Sequence, residues 1–180
     1  MNNEYTLLNW NYINDNKQNF IDHLTHSHES LVNYGIRDST FKYTDYNIFA
    51  ISSPSIHMYK LYYVIRELVR NKLQDENHLW IQSWLNFHTH EQVLGWHNHD
   101  ASWHGYVSIE PQDTFTEFEN WKIDNKCGNI YFGPGHNRHR VVNNSKYTGL
   151  RITIAFDIMT ERDCDLYGDP THNFGCMPFL

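Results

Sequence analysis

Hydrophobic residues recur along this chain with two different periods, and the change falls near residue 79. Before it the spacing is helical. Residues 15–30 carry a weak helical period through Phe20, Ile21 and Leu24, and a stronger one follows at Met58, Leu61, Ile65, Leu68 and Val69. Ser53 suits a cap and Pro54 the first helical position, so the second helix is expected to begin there. Beyond residue 79 come short runs rich in β-branched and aromatic residues: LWIQSWLNF, HGYVSIE, FENWKI, NIYFG, HRVVN and LRITIAFDI. Gly95, Pro111-Gln112-Asp113, residues 125–128, Gly133-Pro134-Gly135 and Asn143-Asn144-Ser145 separate them as turns. The pattern predicts a mainly β chain with flanking helices, the strands closing into a jelly-roll barrel and the helices packing outside it.

Nothing invites a domain cut. Residues 1–78 read as a helical supporting region, 79–158 as the β core and 159–180 as a tail of one domain. With 40% hydrophobic, 16% aromatic and 19% charged residues, the composition excludes a disordered chain. A formal net charge of −7 disfavours broad binding to a phosphate backbone, which leaves a small-molecule or peptidyl substrate as the expected partner. The N-terminal residues lack the pattern of a secretory signal, and no apolar run has the length of a membrane span. Cys127, Cys164 and Cys176 are odd in number and widely spaced, as free thiols of a reducing compartment are, so the expected location is cytoplasmic.

Histidine is what the composition adds to the picture. Seven of the 13 histidines (88, 90, 97, 99, 104, 136 and 139) fall in the β region, three of them in the stretch GWHNHDASWHGY. On a strand, residues i and i+2 share a face, so His97 and His99 can present two imidazoles to one point. His139, opening the strand after the Gly-Pro-Gly turn, is the best third. His88 and His90 form a second such pair, which reads as surface, as do His23, His26, His28 and His136.

WHNHDASWHGYVSI, YFGPGHNRHRV and LRITIAF together resemble the iron(II)- and 2-oxoglutarate-dependent oxygenases, closest to a small bacterial and bacteriophage group with a double-stranded β-helix fold. The likeness spans residues 80–158. It implies iron(II) held by His97 and His139, with His99 or Asp100 as third ligand, and 2-oxoglutarate bound through its distal carboxylate by Arg151 and Thr153. Asn86, beside Trp84 on the preceding strand, and Tyr131 would also line the cosubstrate pocket. Trp103, His104 and Arg138 would meet substrate at the barrel mouth. The implied activity is substrate hydroxylation coupled to decarboxylation of 2-oxoglutarate.

One departure keeps alternatives open. The wider superfamily uses His-x-Asp or His-x-Glu, whereas here His99 holds the third position and Asp100 falls one residue late. The same stretches resemble the two cupin motifs, with His104 near the place of a cupin Glu ligand. That reading implies a three-histidine dioxygenase or isomerase that does not use 2-oxoglutarate. A non-enzymatic jelly-roll, its histidines holding zinc or nothing and its surface formed by Trp84, Trp96, Trp103 and Tyr106, is a third. A serine hydrolase lacks its Gly-x-Ser-x-Gly elbow, and Gly133-Pro134-Gly135 lacks the Gly-Lys-Ser/Thr ending of a phosphate loop.

Overall fold

The stripe from Met58 to Val69 does form a helix, and its buried face is the one the spacing marks: Met58, Leu61, Ile65 and Val69. A computed structural model describes residues 5–52, 54–74, 78–92, 94–166 and 175–179. In chain order they form β1 (Thr6–Asn9), α1 (Asn11–Asp15), α2 (Lys17–Asn33), α3 (Ile48–Ile51) and α4 (Ile56–Leu73). Then come β2 (Leu79–His88), β3 (Trp103–Glu110), β4 (Thr114–Phe118), β5 (Lys122–Asp124), β6 (Asn129–Pro134), β7 (His139–Asn143), β8 (Arg151–Thr160), α5 (Glu161–Leu166) and β9 (Cys176–Pro178). Helix α4 starts two residues later than expected. Ser55 is its cap, its hydroxyl accepting from the Met58 amide, and Pro54 precedes the cap; Ser53 lies outside the described residues.

The strands make a six-stranded antiparallel sheet, ordered β1-β6-β3-β8-β2-β9, and a three-stranded sheet ordered β5-β4-β7. The chain alternates between them. It leaves β2 for the segment around His97, which is bridged to β7 at His139, returns to β3, crosses to β4 and β5, returns to β6, crosses to β7 and ends on β8. Two sheets wound by one alternating chain are a double-stranded β-helix.

Neither face of the central strands meets solvent. Ile81, Leu85, Val107, Ile154, Phe156 and Ile158 share one core with Phe20, Leu24, Leu61 and Ile65 of the helices. Each such side chain contributes about 1.5–3 kcal/mol by leaving water. The alternate residues on β2, β3 and β8 are instead largely polar and face the barrel interior. A second cluster of Tyr106, Phe118, Ile123 and Tyr131 fills part of that interior. Residues 39–47 fasten to β2 between Ile81 and Leu85. Ser39 donates to the Leu85 carbonyl at 2.7 Å, the Leu85 amide donates to the Tyr46 hydroxyl at 2.8 Å, and Asn47 donates to the Ile81 carbonyl at 3.0 Å.

Three local expectations give way. FENWKI is not one strand: β4 ends at Phe118, the chain turns, and β5 starts at Lys122, with the Phe118 amide donating to the Trp121 carbonyl across the turn. His97 and His99 lie off any regular strand, held by isolated backbone bonds. β1 and β9 are edge strands of 4 and 3 residues, too short to show a period.

Gly105 sits where β3 crosses Phe156. A Cβ there would collide with the Phe156 ring and lie 2.6 Å from the Tyr131 carbonyl oxygen. Gly105→Ala should therefore lower stability by about 1–3 kcal/mol, read as a fall in the urea midpoint at unchanged slope. An unchanged midpoint would contradict this packing.

Candidate metal centre

His97 and His139 face each other through a pair of backbone bonds, His97 N to His139 O at 2.9 Å and His139 N to His97 O at 2.8 Å. His99 is placed by its amide, which donates to the Gly135 carbonyl at 3.0 Å. Gly135 leaves no room for a side chain, since a Cβ would strike the Ala101 carbonyl and lie 3.1 Å from that of His99. The Gly-Pro-Gly turn is thus a close-approach device that lets the histidine loop lie against β6. As a result, one ring nitrogen from each of His97, His99 and His139 lies within 4.8 Å of the other two.

The remaining ring nitrogens settle which atoms face the shared point. His97 Nδ1 donates to the Gly95 carbonyl at 2.7 Å, and His139 Nδ1 to the Asn137 carbonyl at 2.9 Å. His99 Nδ1 donates to the Asp157 carboxylate, 3.1 Å from Oδ1 and 3.2 Å from Oδ2. A carbonyl or carboxylate only accepts, so each Nδ1 carries a proton and Nε2 is the nitrogen left to face the shared point. His99 Nε2 is buried and without a hydrogen-bond partner. Burial lowers the pKa of His97 and His139, and neighbouring imidazoles push in the same direction. Both are therefore neutral and ready to bind. Three imidazoles, each oriented through its far nitrogen, fit a divalent transition metal.

Asp157 is the group that sequence reasoning missed. It faces His104 across the β3–β8 ladder and accepts from His104 Nδ1 at 2.8 Å. The His99 and His104 rings stack at 3.6 Å between centroids. His99, His104 and Asp157 form a second cluster of metal-type donors. Its close contacts are the hydrogen bonds just described, so it orients His99. Burial alone would raise the Asp157 pKa, but the two histidines overcome that and hold it well below the carboxylate range. Burial, with His99 next, pushes the His104 pKa down to about 4 against the pull of Asp157.

A cavity with about 420 Å³ of empty space adjoins the three histidines, and Asn86, Arg151 and Thr153 line it. Arg151 is 3% exposed, yet no carboxylate among the described residues pairs with it. Its Nη2 donates to His88 Nδ1 at 3.0 Å, while its Nε is buried without a partner. His88 in turn meets the Thr40 hydroxyl at 2.9 Å. Burial and then Arg151 push the His88 pKa down to about 4, so it is neutral, whereas Arg151, lowered by burial to about 10, keeps its charge. Asn86 Nδ2 donates to Thr153 Oγ1 at 3.2 Å, which leaves the Thr153 hydroxyl proton for another acceptor.

The other anticipated residues are dispersed. Asp100 is exposed and belongs to neither donor cluster. Tyr131 is 1% exposed, accepts from Asn137 at 3.3 Å and packs with Phe118 away from the cavity lining, whereas Tyr106 does line it. Trp103 packs against the helix-side core. Arg138 is exposed and lies 5.7 Å from the Trp96 ring centroid. His104 is buried beside Asp157 and lines the inner cavity. His88, expected at the surface, is 5% exposed.

No protein-family model matches the sequence and no curated protein matches it. Solved structures do. A cupin-2 domain protein from Shewanella frigidimarina is 19% identical at a TM-score of 0.33, over 42% of this chain and 68% of that one. A 2OG-Fe(II) oxygenase family oxidoreductase from Burkholderia pseudomallei is 10% identical at 0.43, over 52% and 50%. The non-heme alpha ketoglutarate dependent epimerase SnoN from nogalamycin biosynthesis is 12% identical at 0.44, over 69% of each chain. The strand order, β1-β6-β3-β8-β2-β9 against β5-β4-β7, is by itself that of a double-stranded β-helix barrel.

The buried histidines make stability depend on pH. Unfolded, they take up protons near 6.5; folded, His88 and His104 resist protonation down to about 4. Through that window the unfolded chain binds more protons, so metal-free protein loses stability as pH falls, and the depressed Asp157 adds to the loss at lower pH. Urea unfolding across the window checks this, and stability that rises on acidification would contradict it.

Proposed function

We propose that this chain is an iron(II)- and 2-oxoglutarate-dependent oxygenase that couples substrate oxidation to decarboxylation of 2-oxoglutarate. The observation that carries the reading is Arg151: a buried cation without a carboxylate partner among the described residues, in the cavity that adjoins three convergent histidines. A planar guanidinium clamps a carboxylate through two parallel hydrogen bonds, and a buried charge is costly until it is paired. The far carboxylate of a dicarboxylic keto acid supplies that pair.

In this reading Nε2 of His97, His99 and His139 hold the metal. Bound iron(II) supplies the oxygen chemistry. Arg151 fixes the cosubstrate's distal carboxylate, His88 fixes the guanidinium, and the Thr153 hydroxyl donates to the same carboxylate. Asp157 holds the His99 proton on Nδ1, so that His99 offers Nε2. The substrate is a small molecule or a peptidyl side chain.

Calorimetric titration of 2-oxoglutarate into manganese(II)-loaded protein tests the reading. Wild type should bind only when metal is present. Arg151→Met should weaken binding by about a hundredfold or more, the loss of two charge-assisted bonds. The same variant should be as stable as wild type or more so, because it removes a buried unpaired charge. His139→Ala should lose the metal. Unchanged affinity in Arg151→Met would overturn the proposal. The histidine-only ligand set favours one alternative, a cupin-type three-histidine dioxygenase or isomerase, for which metal would bind while 2-oxoglutarate gave no response.

A further inference from the structure

A second, larger cavity meets the first at His97 and His99 and, with its open mouth, holds about 1180 Å³ of empty space. Its polarity is opposite. Arg151 lines the inner cavity, whereas the outer one has no lysine or arginine among its lining residues and two carboxylates, Asp100 and Asp157. Asp157 is committed to His99 and His104. Asp100 is exposed and has no hydrogen bond or ion pair among the described residues.

Four aromatic rings stand in the rest of the wall: Phe41, Tyr43, Trp84 and Trp96. Tyr43 and Trp84 lie 5.1 Å apart at an interplanar angle of 40°. Phe41 is 72% exposed, an uncovered ring carried on the segment that Ser39 and Asn47 fasten to β2. Trp96 is already engaged by Arg140 and Arg138, 4.9 Å and 5.7 Å from its ring centroid and both outside the cavity lining, so the rings left for a ligand are those of Phe41 and Tyr43. Ring faces attract a cation, and one uncommitted carboxylate beside them supplies the charge to pair with it.

From this juxtaposition of an aromatic-walled cavity, a free Asp100 and the two shared histidines, we propose that the outer cavity receives a small organic cation, an ammonium group on an apolar body, as the oxygenase's substrate. Its role as substrate rests on the oxygenase reading; its binding does not. The arrangement keeps the two ligands apart by charge. The dicarboxylate is drawn to Arg151, and the ammonium compound is drawn to Asp100, with the histidines between them.

Calorimetry with phenethylamine, phenethyl alcohol and 3-phenylpropionate on manganese(II)- and 2-oxoglutarate-loaded protein reads the preference. The amine should bind about tenfold or more tighter than the carboxylate, with the alcohol between them. Asp100→Asn should erase most of the gap between amine and alcohol, and Asp100→Lys should favour the carboxylate. Phe41→Ala, an exposed position, should weaken the amine by about threefold or more. Metal and 2-oxoglutarate affinities measured on the same variants should hold. Equal binding of the three probes, a preference that survives Asp100→Lys, or loss of metal in Asp100→Asn would overturn the proposal. If 2-oxoglutarate fails to bind wild type while the amine preference follows Asp100, the oxygenase reading falls and the cation site stands. The reverse result removes only the cation site.

Discussion

Strand alternation on β8 decides where every functional group in this barrel ends up, because both faces of that strand are buried and each face serves a different layer. Ile152, Ile154, Phe156 and Ile158 join the helix-side core, and Arg151, Thr153 and Asp157 turn to the interior. A slip of one residue would bury Arg151 among the helices and present isoleucines to the histidines. The ladders with β2 and β3 then fix the rest. Arg151 faces His88, Thr153 faces Asn86 and Ser108, and Asp157 faces His104. The apolar layer gives the folding energy, and through register it also places the chemistry.

Among the described residues the barrel interior carries one buried cation, Arg151, and one buried anion, Asp157, and they are treated differently. Asp157 is satisfied by two imidazole donors. Among the described residues Arg151 hydrogen-bonds neutral His88, and its Nε has no partner. A protein that paired its buried charges for stability alone would have paired this one. The asymmetry is why the cavity reads as built for an incoming anion. Neutral His97 and His139 fit the same logic, since burial keeps their Nε2 lone pairs open.

Much of this was legible in the chain. Helical spacing marked Phe20, Leu24 and the α4 stripe, and β-branched runs marked the long strands. His97, His99 and His139 stood out as residue types at telling intervals, although the first two reach their place through a loop bridged to β7, not through strand parity. Asp157 and His88 were within reach: extending the parity of Arg151 along β8 leads to Asp157, and extending that of Trp84 and Asn86 along β2 leads to His88. What could not be read was depth within the barrel. Tyr131 has the interior parity but packs among Phe118 and Tyr106, and the outer cavity is assembled from residues 40–44, 82–84, 94–101 and 157–159, whose proximity no local pattern encodes.

The central claim is that a metal on the three histidines and a keto acid on Arg151 share one site. Anaerobic protein, mixed with iron(II) and then 2-oxoglutarate while the visible spectrum is recorded, tests it most directly. The account predicts an absorption band that needs both additions and is lost in Arg151→Met at the same cosubstrate concentration. Iron(II) binding with no spectral response to 2-oxoglutarate would contradict it.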